Sequence, residues 1–140
     1  MNEAPMPIAS PSTASEKIRV FTDLFSWQDA HKLVLMIYRI TRKFPKDEMF
    51  GLVAQLRRAV VSISSNIAEG FSRISYAEKI HFYSIALGSV TEVQNQMLIA
   101  RDVEYVAQED FMSVEKQSVK VHKLINGLIK SSRSFLIPHS

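Results

Sequence analysis

Glu78 and His81 stand three residues apart in a stretch that reads as helix. At that spacing a carboxylate and an imidazole face the same way, as they do in helical di-iron sites. Such a site needs a second Glu-x-x-His and two further inward glutamates, and the chain has no second copy. Glu78 also follows Ser75 by three residues, a capping-box spacing that gives this carboxylate a task at a helix start. The expectation is no metal and no cofactor. His31 and His122 are isolated on helical stretches and read as structural or exposed. No Gly-x-Ser-x-Gly, phosphate-binding loop or dinucleotide-binding glycine pattern occurs. The chain has no cysteine, which excludes disulfides, thiolate zinc sites, iron–sulfur clusters and cysteine nucleophiles, and points to a reducing compartment.

Arg133 and His139 have five residues between them. The pair resembles the Arg-x(4-6)-His of helical HEPN ribonucleases, where the histidine does acid–base work at the phosphodiester. Here it straddles Pro138 in the last residues, where no packing would lock a catalytic rotamer. The reading is therefore not an enzyme.

Charge placement says more. Lys116, Lys120, Lys123 and Lys130 follow steps of four, three and seven, so they stack along one helix face, with Arg133 beside the last. Arg39, Arg42, Lys43 and Lys46 form a second basic cluster. The net charge of +3 is mild, yet residues 71–110 carry three basic and six acidic groups while 111–140 carry five and one. Aligned ammonium groups can neutralise the phosphates of RNA or DNA, with affinity that falls with salt and little sequence preference. They can equally meet the acidic segment of a neighbouring subunit, or form a solvated face. The residues alone leave all three open.

A polar stripe, Gln55, Arg58, Ser62, Asn66, Glu69 and Arg73, recurs at three and four opposite a leucine–isoleucine face. Facing another helix, such as one bearing Glu92, Gln94 and Asn95, it would be a hydrogen-bonded network that selects one packing. Facing water, it would be an ordinary polar surface.

Four helical segments must position these groups. Trp27, Ala30, Val34, Ile37, Tyr38 and Phe44 line one face of a first, capped by Ser26 and ended by Pro45. A second starts near Asp47 as cap and carries Leu52, Leu56, Val60, Ile63 and Ile67. The third runs from Ser75 to about Arg101. The fourth, 108–135, presents Phe111, Val114, Val121, Leu124, Ile125 and Leu128. Short connections make neighbours antiparallel, so the fold class is all-α, an up-down-up-down antiparallel four-helix bundle over 21–137. The third helix is apolar on more than one side: Tyr76, Ile80, Tyr83, Leu87, Val90 and Met97 form one stripe, while Phe82, Ile85, Ala86, Val93 and Ile99 fill much of the rest. One core cannot hide both, which predicts self-association.

With 140 residues, 46% hydrophobic and 22% charged, the chain has the balance of one globular domain. Pro5, Pro7 and Pro11 among small polar residues mark 1–20 as a flexible tail. The start lacks the charged and apolar regions of a secretory signal, and no apolar run approaches the ~20 residues of a membrane span, so the expected location is the cytoplasm, with no membrane partner.

Several blocks then fall at characteristic spacings: Phe21 to Trp27 (FTDLFSW), Tyr38 to Pro45 (YRITRKFP), Phe50-Gly51-Leu52, Gln55-Leu56-Arg57-Arg58-Ala59, Ser62 to Gly70 (SISSNIAEG), and Gly88-Ser89 with Glu92. Together they resemble the four-helix-bundle family named after proteins encoded in intervening sequences of 23S ribosomal RNA genes. Ser64 stands where the family usually has proline, which bears on a local bend. The resemblance implies a bundle that assembles as a homopentameric ring with no established catalytic activity. It also points to a related branch, the accessory variability determinants of diversity-generating retroelements, basic rings that bind a reverse transcriptase and nucleic acid. The matching positions Arg57, Arg58, Asn66, Glu69, Gly70 and Glu92 carry over as motif residues with a structural task. The function that follows is an oligomeric binding or scaffold protein contacting nucleic acid or a nucleoprotein through basic surfaces, with a purely protein-protein assembly module as the alternative.

Overall fold

The computed structural model describes residues 17–136. The fourfold apolar periodicity becomes four α-helices: α1, Phe25–Thr41; α2, Leu52–Ser72; α3, Tyr76–Asp102; and α4, Gln108–Ser134. Short 3-10 turns at Phe21–Asp23 and Lys46–Glu48 precede α1 and α2, and no strand occurs among the described residues. Each helix packs on the next and α4 closes back on α1, while the backbones of the diagonal pairs stay apart among the described residues. The bundle is thus a four-sided antiparallel prism. Its α2–α3 side lies opposite its α1–α4 side.

The predicted stripes supply the core. Ala30, Ile37, Leu56, Val60, Ile63, Ile67, Val121 and Ile125 are wholly buried. Leu33 and Ile40 of α1 and Ile129 of α4 join them, although the stripes read from the sequence omitted them. Phe44, expected at the end of the first helix, lies beyond α1 but turns back into the core, its ring against Tyr105 at 5.6 Å.

Helix starts differ more from expectation. Ser75 does cap α3, its Oγ accepting the Glu78 amide at 3.1 Å. Ser26 does not cap α1: the helix begins two residues earlier, at Phe25 with Leu24 at the N-cap, and the buried Ser26 hydroxyl has no hydrogen-bond partner among the described residues. Nor does Asp47 cap α2. That helix starts five residues later, because residues 46–48 form a separate 3-10 turn that folds Glu48 back so that its Oε1 accepts the Leu52 amide at 3.1 Å. The other Glu48 oxygen accepts the Tyr105 hydroxyl at 2.9 Å, tying the first corner to the third. This hydrogen bond to the carboxylate, with some burial, raises the Tyr105 pKa. Residues 42–51 form a longer connection than the short ones expected. The α2 helix passes through Ser64 unbroken, so the missing proline leaves no break.

The helix ends are closed by neighbouring cations. Arg57 of α2 donates from Nε to Thr41 Oγ1 at 3.0 Å and from Nη2 to the Tyr38 carbonyl at 3.4 Å. Lys79 donates to the Phe71 carbonyl at 2.6 Å, where a cation complements the negative end of the α2 dipole. Partial burial of this ammonium lowers its pKa. At the α3–α4 corner Glu104 takes a positive φ of 64°, which lets the Tyr105 amide reach the Ala100 carbonyl at 2.8 Å.

Candidate nucleic-acid interface

Lys116, Lys123 and Lys130 are exposed on α4, as their spacing predicts, and none enters an ion pair among the described residues. Together with Ser113, Gln117, Val119 and Lys120, the first two line a shallow groove of about 570 Å³. Arg133 is exposed near the end of the helix. Lys120 differs from the rest. Its Nζ lies 3.2 Å from Oδ1 of Asp29, a carboxylate buried at the start of α1. Gln117 holds the same residue, donating from Nε2 to the Asp29 carbonyl at 2.9 Å and to Oδ1 at 3.0 Å. Lys120 therefore clasps α4 to α1 while its neighbours on the stripe do not.

Arg39, Arg42, Lys43 and Lys46 are likewise exposed and outside every ion pair among the described residues. Arg39 lies ten residues beyond Asp29, about 15 Å further along the helix, so the second cluster sits at the far end of α1, where Arg42 and Lys46 turn toward α2. Exposed Lys32 lies between Asp29 and Arg39, seven residues before Arg39 and on the same face of α1. Sequence reasoning missed it as an isolated base; its heptad step to Arg39 was the available signal.

The polar stripe of α2 runs along the α3 junction, with Ser62, Asn66 and Arg73 half-buried and Gln55, Arg58 and Glu69 at its exposed edge. Arg58 pairs with Glu92 of α3, the Ser62 and Ser89 hydroxyls are 2.9 Å apart, and Asn66 turns back to Ser62, donating to its carbonyl at 2.8 Å. Gln96 donates to Glu92 at 3.3 Å and to Gln55 at 3.5 Å. Of the expected partners, only Glu92 joins this seam: Gln94 points to Ser118 of α4 at 3.1 Å, and Asn95 is exposed. Glu69 pairs with Arg73 at 2.9 Å, and the Arg73 guanidinium lies over the Phe82 ring at 4.7 Å. Gly70 is required by proximity, because a Cβ there would stand 2.6 Å from Tyr83 Cε1 and 3.1 Å from Phe82 Cβ. Burial of the Tyr83 phenol at this contact, helped by Tyr76, pushes its pKa up to about 12. Thus the motif residues serve the helix junctions: Arg57 holds α1, Arg58 pairs with Glu92 across α2 and α3, Gly70 admits Tyr83 and Phe82, and Asn66 and Glu69 hold Ser62 and Arg73, which meet Ser89 and Phe82 of α3.

The Glu-x-x-His pair does not converge on a site. The Glu78 carboxylate accepts the Ser75 hydroxyl at 3.3 Å, and His81 is exposed with its ring edge-on to Phe82. Among the described residues no three His, Cys, Asp or Glu come together as a metal cluster. His31 stacks flat on Trp27 at 4.8 Å, and the His122 ring lies 3.1 Å from the Asn126 amide. His139, and with it the Arg133–His139 pair, falls outside the described residues, as does most of the 1–20 segment. No described helix is long and apolar enough to cross a membrane.

The same bundle is found in a crystal structure of a protein with unknown function from the S23 ribosomal protein family of Bacteroides thetaiotaomicron. The likeness has a TM-score of 0.70 at 24% identity and covers 75% of this chain and 95% of that one. At that identity the likeness shows the fold. No curated protein matches the chain. The family of 23S rRNA-intervening sequence proteins matches residues 22–127, from the turn before α1 well into α4, taking in the whole α2–α3 junction and the Asp29–Lys120 clasp. This chain belongs to the 23S rRNA-intervening sequence protein family.

Proposed function

We propose that this chain is a non-enzymatic, oligomeric binding or scaffold protein of the cytoplasm that contacts nucleic acid, or a nucleoprotein, through basic surfaces on α4 and at the end of α1. One observation carries the reading. Lys116, Lys123 and Lys130 on α4, and Arg39 with Arg42, Lys43 and Lys46 at the end of α1, are exposed and outside every ion pair among the described residues. The buried acid between α1 and α4, Asp29, is already engaged by Lys120. Helices α1 and α4 together hold seven Lys and Arg against four Asp and Glu, whereas α2 and α3 hold four of each. An uncompensated row of cations attracts a polyanion and releases its counterions.

The assembled form in this reading is the homopentameric ring that the family resemblance implies. Apolar exposure on α3 supports assembly: Ile85, Leu98 and Ile99 are each about two-fifths exposed in the single chain. The same exposure favours the second reading, a module that assembles with protein alone.

The test is retention of the full chain on RNA and on DNA across a salt series, with solution mass measured by light scattering. Replacing Lys116, Lys123 and Lys130 by Gln is expected to weaken retention and to reduce its logarithmic salt slope by about 1 for each phosphate no longer neutralised. Unchanged retention and slope would overturn the nucleic-acid role of this face. A monomer mass at micromolar concentration would overturn the assembly.

A further inference from the structure

The corner between α1 and α2 holds a second basic feature, separate from the α4 groove. A pocket of about 250 Å³ opens there, with Arg42, Lys46 and Arg57 as its charged lining and Phe44, Met49 and Val53 as its apolar part. Among the described residues no carboxylate lines it. Both acids of the corner are elsewhere: Glu48 is turned to the Leu52 amide and the Tyr105 hydroxyl, and Asp47 is exposed.

Arg57 differs from the two exposed cations because its orientation is set from behind. Its guanidinium stacks over the Tyr38 ring at 4.6 Å, with Nε on Thr41 and Nη2 reaching the Tyr38 carbonyl. The Nη1 edge makes no hydrogen bond among the described residues. A planar donor fork held in place by packing is suited to an oxyanion. The negative end of α1 lies close by, but four of its last five carbonyls are occupied. Ile37 accepts from the Thr41 hydroxyl, Tyr38 from Arg57, Ile40 from the Lys43 amide and Thr41 from the Phe44 amide. The first turn of α2, with its positive end, contributes Val53 to the same pocket.

We propose that this corner is a binding site for a terminal phosphate group, a phosphomonoester. Three cations without a counter-charge match a dianion better than the single charge of a diester linkage. The volume is below the roughly 300–1,000 Å³ of sites that enclose a whole ligand, so the pocket takes the phosphate and the first atoms attached to it, against Phe44 and Met49. The same group ends a free nucleotide and the 5′ end of a nucleic-acid strand. Only the strand-end source rests on the nucleic-acid reading above.

Titration calorimetry on the full chain separates the cases, using adenosine 5′-monophosphate, adenosine, and one short RNA carrying either a 5′-phosphate or a 5′-hydroxyl. The monophosphate is expected to bind and adenosine not. If strand ends are the source, the 5′-phosphate should tighten RNA binding by about tenfold, the scale of one or two charge-assisted hydrogen bonds. The double change Arg42→Gln with Lys46→Gln should abolish both effects while leaving the thermal melt unchanged, since neither side chain has an ion-pair partner to lose. Binding of adenosine equal to that of its monophosphate, or full binding by the double variant, overturns the pocket. RNA that binds equally with either end, together with a monophosphate that binds, keeps the pocket and assigns it to free nucleotides. A monophosphate that binds while neither RNA does keeps the pocket and overturns the nucleic-acid reading.

Discussion

The α2–α3 side and the α1–α4 side both carry many polar residues but use them in opposite ways. Between α2 and α3, Arg58 meets Glu92, Ser62 meets Ser89, and Gln96 reaches across to Gln55, so polar groups are consumed in setting how two helices sit. On the opposite side only the Asp29, Gln117 and Lys120 cluster does this among the described residues, and the remaining lysines and arginines point outward without ion-pair partners. A seam of matched groups specifies one packing. A row of unmatched cations specifies an external charge. The two sides therefore separate the residues that make this bundle from those through which it would act.

The largest effect that tests this separation is at Gly70. A branched side chain there must displace the buried Tyr83 ring, whose nearest carbon would stand 2.6 Å from the added Cβ, and cannot escape into solvent. Gly70→Val is expected to lower unfolding stability by about 3 kcal/mol, the upper end of overpacking penalties, measured by urea denaturation. Gly70→Ala should cost less, since the helix gains roughly 1 kcal/mol from losing a glycine. If both are neutral, the junction is looser than the contact implies.

Next comes the contrast within the lysine row. Lys120→Gln leaves a buried carboxylate with Gln117 alone, and should destabilise by about 1 kcal/mol, the upper range for a partly exposed pair. Lys116→Gln and Lys123→Gln should stay within about 0.5 kcal/mol of the parent, as surface changes without partners do. Equal losses at all three positions would break the division between clasp and free row.

Alkaline pH probes the other side. The Tyr83 phenol titrates at about 12 in the fold against 10.0 when unperturbed, because burial disfavours its anion. The unfolded chain therefore loses this proton first as pH rises. The contribution is whole below pH 10 and is lost progressively between 10 and 12. Tyr83→Phe should flatten that part of the stability curve, read as melting temperature against pH.

Legibility in the sequence followed the range of the interaction. Helices were readable because their apolar steps repeat locally, and the Ser75 cap was readable because its partner is three residues away. The Asp47 cap failed because an intervening 3-10 turn brought Glu48 back to the helix start, a path that no spacing rule announces. The polar stripe was visible, but only the fold could show that α3 lies along it and pairs with Arg58 and Ser62. In the lysine row, the residue that differs does so because of Asp29, 91 positions earlier in the chain by number. Arg57, legible only as a motif position, holds the end of α1 and lines a pocket, since its partners Tyr38 and Thr41 lie on another helix.

The smallest expected effect discriminates most sharply between a lone bundle and an assembly. Gly88 and Gly127 both lie inside long helices, both are exposed, and a methyl added to either meets nothing within 4 Å. In a single chain, Ala at each should stabilise by up to about 1 kcal/mol, through helix propensity alone. Gly88, however, lies on α3 near the exposed Ile85 and one turn from Glu92, where another copy would pack in the proposed ring, whereas Gly127 lies on α4. A helix packed closely against a neighbour can require glycine for backbone approach, and then the methyl costs more than propensity returns. Gly127→Ala is therefore expected to raise the melting temperature at all protein concentrations. Gly88→Ala should raise it only when dilute, and lower both the melting temperature and the light-scattering mass where the parent is assembled. Two glycines that respond alike would place no partner on this face of α3.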